Sequence, residues 1–233
     1  MDRELQIGFL LFPNLTQLDL TGPYEVLGRL PDAKVHLVWK TLDPVISDTG
    51  MAILPDKTLE DCPPLDLICV PGGPGVNPLL NDEAVLEFLK RQGAQAKYVT
   101  SVCTGALVLG AAGLLDGYKA ATHWASMHFL DKFGATATNA RVVIDRNRIT
   151  GGGVTAGIDF GLVVGAQLRG ELTAQRIQLY LEYNPEPPFR SGSPDTAPSE
   201  VLSAFKDAAK GMLDERAEAV ARASQRLSLG ADG

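Results

Sequence analysis

YVTSVCTGALVLGAAG, residues 98–113, is two secondary-structure elements joined at one cysteine. Val99-Thr100-Ser101-Val102 is a short β-branched run of the kind that forms a buried strand. Gly105–Ala112 is small and apolar, which predicts a tightly packed helix. Cys103 stands at the junction, followed by Thr104. A strand that turns sharply into a helix at a nucleophilic side chain is an elbow. It presents that side chain clear of both elements, beside the unpaired N–H groups of the helix start. Those groups and the helix dipole favour a thiolate, so a lowered pKa is expected for Cys103. The bland alternative is a small buried hydrophobe, since free cysteine is among the most buried residue types. The Thr-Gly surroundings and the strand-to-helix switch favour the reactive cysteine.

Working outward, the rest of the chain repeats the strand–turn–helix pattern. Leu5–Phe12 (LQIGFLLF) is apolar throughout, as a central parallel strand must be when both faces are covered. Asp19, between Leu18 and Leu20, is expected in the loop ahead of a helix capped by Thr21 or Gly22, with Pro23 in its first turn. It is either a partly buried acid or a cap or loop carboxylate facing water. Val35–Trp39 is a second strand, with His36 expected on an exposed or edge face, and Val45–Leu54 reads as short hairpin pieces. Leu65–Val70 runs into Pro71-Gly72-Gly73-Pro74-Gly75. The N–H groups of such a turn can face a developing negative charge, or the turn is a tight connection only. Neither a phosphate-loop pattern nor GxGxxG is present.

Asp82–Gly93 is an amphipathic helix, and Ala125–Phe133 is a shorter one. Ala135–Thr138 and Arg141–Asp145 read as strands. Ile149-Thr150-Gly151-Gly152-Gly153-Val154 is a second strand-to-glycine-turn junction, ahead of a helix over Ala156–Leu168. Thr173–Tyr183 reads as a helix capped by Thr173. Residues 184–198, rich in Pro, Ser and Gly, read as a long surface loop, and residues 199–229 as a C-terminal helix. Alternation of this kind predicts a single α/β domain over residues 1–233 with a mostly parallel sheet. Ligands of such sheets bind beyond the carboxyl ends of the strands. Asp19, Gly72-Gly73, Cys103 and Gly151–Gly153 all fall there.

Composition narrows the function classes. The chain has 233 residues, 45% of them hydrophobic, enough for a full core. A net charge of −7 argues against a nucleic-acid surface. No apolar run reaches the roughly 18 residues of a membrane span. The charged start Met1-Asp2-Arg3-Glu4 leads straight into a strand, so no secretory leader is expected. Three cysteines, Cys62, Cys69 and Cys103, fit a reducing, cytoplasmic compartment better than a disulfide framework. No Cys/His spacing of zinc type is present, so no metal is expected.

Six stretches together resemble a known superfamily. They are Phe12-Pro13 with Leu18-Asp19-Leu20-Thr21-Gly22-Pro23, Pro71-Gly72-Gly73, Ser101–Gly105, Gly113–Gly117, Thr122-His123-Trp124 and Thr150–Gly153. The chain is similar to the PfpI-type superfamily of class I glutamine-amidotransferase-like folds, and within it to members that hydrate isocyanides. The likeness runs over nearly the whole chain, including Ser193–Pro198. It implies a flavodoxin-like sandwich with helices on both faces, a homodimer, no cofactor, and a small-molecule isocyanide as substrate, hydrated to an N-substituted formamide. It also implies Cys103 as nucleophile through a thioimidate, and Asp19, where the family often has Glu, as general acid and base. Thr104 would contribute its N–H and hydroxyl. Gly72 and Gly73 would supply N–H donors, and Gly152, Gly153 and Val154 would line the pocket. Glu25 is a competing acid expected to face solvent or the dimer.

Three rival readings compete with this one. Peptidases of the superfamily carry His after the nucleophile, where this chain has Thr104, and His123 reads as structural. The ligand-sensing domains of AraC-type regulators share the motifs, but they precede a helix-turn-helix region longer than the roughly fifty residues after Tyr183. A non-enzymatic redox sensor using Cys103 stays open.

Overall fold

The computed structural model describes residues 3–231. Strands β1 (Leu5–Leu10), β2 (Ala33–Trp39), β3 (Lys57–Thr58), β4 (Leu67–Val70), β5 (Tyr98–Val102), β6 (Val142–Asp145) and β7 (Arg148–Gly151) form one sheet in the order β6-β7-β5-β4-β1-β2-β3. Every pairing is parallel except β6 with β7 at one edge. This is the expected flavodoxin-like arrangement. The inner strands are apolar on both faces because both are covered: Ile7, Phe9, Leu67, Val70, Val99 and Val102 are fully buried. Two short ladders lie outside the sheet, Val45–Ile46 with Ala52–Ile53, as expected, and Lys119–Ala120 with Thr136–Ala137.

Helix α1 (Gln17–Leu27) follows β1. Then come α2 (Val76–Leu79) and α3 (Glu83–Gly93) after β4, and α4 (Gly105–Ala111) after β5. Helices α5 (Ala156–Arg169), α6 (Glu171–Tyr180) and α7 (Ser199–Ala231) follow β7. On one face α1 packs on α5, and α5 on α6. On the other lie α3, α4, a 3₁₀ helix over Trp124–Phe133, and α7. The α1–α5 contact is close because it is built on glycine. A Cβ on Gly161 would stand 3.0 Å from Val26 Cβ, and one on Gly157 would stand 3.0 Å from Pro23 Cδ.

After β1 the chain turns to β2 on one side and then crosses to β4 on the other. The carboxyl ends of β1 and β4 therefore flank a topological switch point, where such sheets leave a crevice.

Four sequence expectations shift. Helix α1 starts at Gln17, so Asp19 lies in its first turn rather than in a loop, and Pro23 is inside the helix. The cause is a pair of backbone bonds. Thr16 N–H donates to Gly72 O at 2.9 Å, and Asp19 N–H donates to Thr16 O at 3.0 Å, so the turn closes before Thr21. His36 is buried, not exposed, with Nε2 2.8 Å from Gln6 Oε1. Thr173 does not cap α6, which begins at Glu171; its hydroxyl donates back to Arg169 O at 2.8 Å. Helix α7 continues to Ala231 rather than ending at 229. Residues 184–198 hold no regular helix or strand, as expected.

The start of α4 packs tightly on the end of β4 at Gly105, where a Cβ would stand 2.0 Å from Val70 O and 2.7 Å from Pro71 O. Gly105→Ala is expected to cost about 3 kcal/mol in urea unfolding. Gly192→Ala, with nothing within 4 Å, should change stability by no more than about 0.5 kcal/mol.

Candidate active site

The site begins with a strained residue. Cys103 has φ +55°, a left-handed conformation that side chains with a Cβ rarely adopt and that costs roughly 1–2 kcal/mol. Three bonds hold it there. Its N–H is shared between Gly152 O at 2.8 Å and Gly151 O at 3.1 Å, and its carbonyl accepts the Thr122 hydroxyl at 2.8 Å. The elbow read from the sequence is present, with Thr104 as the N-cap of α4.

Asp19 approaches from α1. Its Oδ2 accepts Gly72 N–H at 3.0 Å, while Oδ1 is buried without a hydrogen bond of good geometry. Burial pushes its pKa up to about 7, against the lowering effects of the Cys103 thiol and Gly72 N–H. Burial also pushes the Cys103 thiol well above its ordinary range, Asp19 adds to this, and the Thr104 N–H and hydroxyl oppose it. The lowered thiol pKa expected from the helix start is therefore corrected. Desolvation of the buried thiol outweighs what the Thr104 N–H and hydroxyl contribute at the start of α4. Each is among the causes of the other's shift, and above about pH 7 thiol and carboxyl hold one proton and one negative charge between them.

The glycine turn is more committed than the sequence implied. Gly72 N–H is taken by Asp19, and Gly73 N–H donates to Thr104 Oγ1 at 3.0 Å. Neither stands free as a donor to a ligand, which corrects the expectation for both. What Gly72 supplies is close approach. A Cβ there would stand 2.6 Å from Thr104 N and 2.7 Å from both Asp19 Oδ2 and Thr104 Oγ1. Only glycine lets the carboxyl, the elbow and the turn meet.

The other candidates separate. Gly152 is a backbone support, accepting from Cys103 and donating its N–H to Arg141 O at 2.9 Å. Gly153 borders the His123 ring, 3.6 Å from its would-be Cβ, and Val154 packs half-buried on the core. Glu25 is on the exposed side of α1, paired with Arg29. His123 caps the 3₁₀ helix, its Nδ1 accepting Ala125 N–H at 3.3 Å, beside Trp124 and Phe205. Burial, helped by Arg216, holds its pKa down.

Four contributors were missed. Thr122 lies in the Thr122-His123-Trp124 motif but was given no role, Ser126 carries no motif, and Asn77 sits in the short helix α2. Arg216, on α7, is buried and donates to Asn77 Oδ1 at 2.8 Å, Ser126 Oγ at 3.0 Å and Gly73 O at 3.3 Å. One signal did exist. Arg216 shares a helical stripe with Ala219, Val220 and Ala223, all buried.

The proton on the pair has a stability signature. Asp19 binds its proton more tightly in the fold, near pH 7, than in the unfolded chain, near 3.8. Between those values the native state holds the extra proton, so stability falls as pH rises and levels off above 7. The fall should be on the order of 4 kcal/mol. Asp19→Asn is expected to flatten that slope and to be the more stable protein at pH 8, as measured by urea unfolding at a series of pH values.

The chain is similar to known proteins over most of its length. It is 60% identical over 225 residues to a Pseudomonas putida protein named isonitrile hydratase, covering 97% of this chain and 99% of that one. A Pseudomonas syringae THiJ/PfpI family protein of known crystal structure superposes with a TM-score of 0.91 at 48% identity, covering 94% of this chain and 91% of that one. The transcriptional regulator GbdR of Pseudomonas aeruginosa is 34% identical over 185 residues, covering 75% of this chain but 50% of its own length. The model of the DJ-1/PfpI family matches residues 6–167, which hold Asp19, Gly72, Gly73, Cys103, Thr104 and Gly152: the chain belongs to the DJ-1/PfpI family.

Proposed function

We propose that this protein is an isocyanide hydratase, a lyase that adds water to R–N≡C to give the N-substituted formamide. The observation that carries the reading is the 60% identity to the P. putida isonitrile hydratase over almost the full length of both chains. The site's chemistry supports it. Asp19, half ionised near neutrality, takes the Cys103 thiol proton as sulfur attacks the terminal isocyanide carbon. It then returns that proton to the same carbon, giving the thioimidate R–N=CH–S–Cys103. Water, activated by Asp19, adds to the thioimidate carbon. Collapse of the adduct releases R–NH–CHO and the thiol, so one isocyanide and one water are consumed and the enzyme is regenerated. Thr104 orients the reacting sulfur, its hydroxyl oxygen fixed by Gly73 N–H.

The committed glycine donors agree with this chemistry. Acyl transfer builds negative charge on oxygen and needs free N–H groups to receive it. Addition to an isocyanide builds charge on carbon, which needs a proton instead, and the shared Cys103–Asp19 proton is that supply. The same reading takes the protein to be a cytoplasmic, single-domain homodimer that works without metal or cofactor. No helix among the described residues is long and apolar enough to cross a membrane.

The test is conversion of a simple alkyl or aryl isocyanide, followed by appearance of its formamide. Wild-type protein should convert it and Cys103→Ala should not, with Asp19→Asn slower by about 100-fold or more. Protein mass should show the thioimidate accumulating on Cys103 in Asp19→Asn. Wild-type protein that leaves isocyanides untouched would sink the reading. Normal turnover by Asp19→Asn would remove the acid's role.

A further inference from the structure

Helix α7 lies outside the residues 6–167 matched by the family model, yet it carries a cation into the site. Arg216 is 3% exposed. Its three polar contacts, Asn77 Oδ1, Ser126 Oγ and Gly73 O, are all neutral acceptors. Among the described residues it forms no ion pair. A guanidinium does not give up its proton inside a protein, and a buried charge without a counter-charge is costly.

The residue it grips, Gly73, leads directly to the nucleophile, because Gly73 N–H donates to the hydroxyl of Thr104, the neighbour of Cys103. Cys103 is also the group whose charge favours the ionised guanidinium, against the burial that disfavours it. The remaining charged or titratable groups around the pair are Asp19 on α1, with Asp48 behind it, and His123 ahead of the 3₁₀ helix. The two acids add negative charge, and burial disfavours the charged form of His123, so Arg216 is the cation on the site.

We infer that Arg216 is a positioning residue whose guanidinium supplies the counter-charge for the single negative charge shared by Cys103 and Asp19, while its grip on Gly73 holds the turn that orients Thr104. The C-terminal helix thus completes the electrostatics of a site whose reacting groups all belong to the family domain. The inference rests on Cys103 as the reactive group but not on the identity of the substrate.

The experiment is the pH profile of Cys103 alkylation by iodoacetamide in the full chain, read by peptide mass so that Cys62 and Cys69 do not contribute. Arg216→Gln should move the midpoint up by a unit or more, lowering the rate at pH 7 about tenfold. Arg216→Lys, which keeps the charge, should hold the midpoint within about half a unit of wild type. Asn77→Asp places a carboxylate against the guanidinium with almost no change in size, and should shift the midpoint in the same direction as Arg216→Gln. A folded Arg216→Gln with the wild-type profile overturns the inference. If Arg216→Gln does not fold, an unchanged profile in Asn77→Asp overturns it. A protein that shows the Arg216 shift but hydrates no isocyanide retains this inference and loses the hydratase reading alone.

Discussion

One residue in a conformation it does not prefer sets the terms for the site. Cys103 is left-handed, and the surrounding chain holds it so through its own N–H and carbonyl, leaving the sulfur out of the restraint. The restraints come from both directions in sequence: the β7 turn supplies two carbonyls, and Thr122 supplies a hydroxyl. Close packing of Gly105 on the end of β4 then fixes where α4 begins. Strain of this kind persists only where the rest of the fold over-determines it, and here a parallel sheet with three separate strand exits does so.

Around that fixed point the polar groups are satisfied in pairs: Gly72 N–H with Asp19, Gly73 N–H with Thr104, and Gly152 O with Cys103 N–H. Asp19 Oδ1 is left without a hydrogen bond beside the thiol, as is Ser101 Oγ on β5. A site built in this way has little left to reorganise when a small neutral molecule enters, and its reactivity is concentrated in one mobile proton. The charge state of that proton is a property of the thiol and carboxyl together.

Most of this architecture was legible in the sequence, for a simple reason. β-branched and apolar runs announce buried strands, and glycine after a strand announces a close approach. The family motifs lie at those same turns. The elbow, Asp19, Gly72 and Thr104 were all accessible that way. Three kinds of feature were not. The thiol's raised pKa depends on total burial, which no local stretch encodes. The engagement of Gly73 N–H depends on a hydroxyl thirty-one residues away. Arg216 sits in a helix rich in Ala, Glu and Arg, where another arginine reads as solvated surface. Its burial follows from how α7 docks on the 3₁₀ helix and on α2, a tertiary fact. His36 was misplaced for a related cause, since Gln6 on the neighbouring strand gives its ring a buried partner.

The place of Arg216 in the chain has a consequence in time. Synthesis runs from the amino end, and the sheet, the elbow and Asp19 all emerge well before α7. The groups that react are therefore in the chain before the cation inferred to balance them. On that inference, docking of the last helix, through Arg216 and its bond to Gly73 O, is the step that completes the electrostatics of the nucleophile.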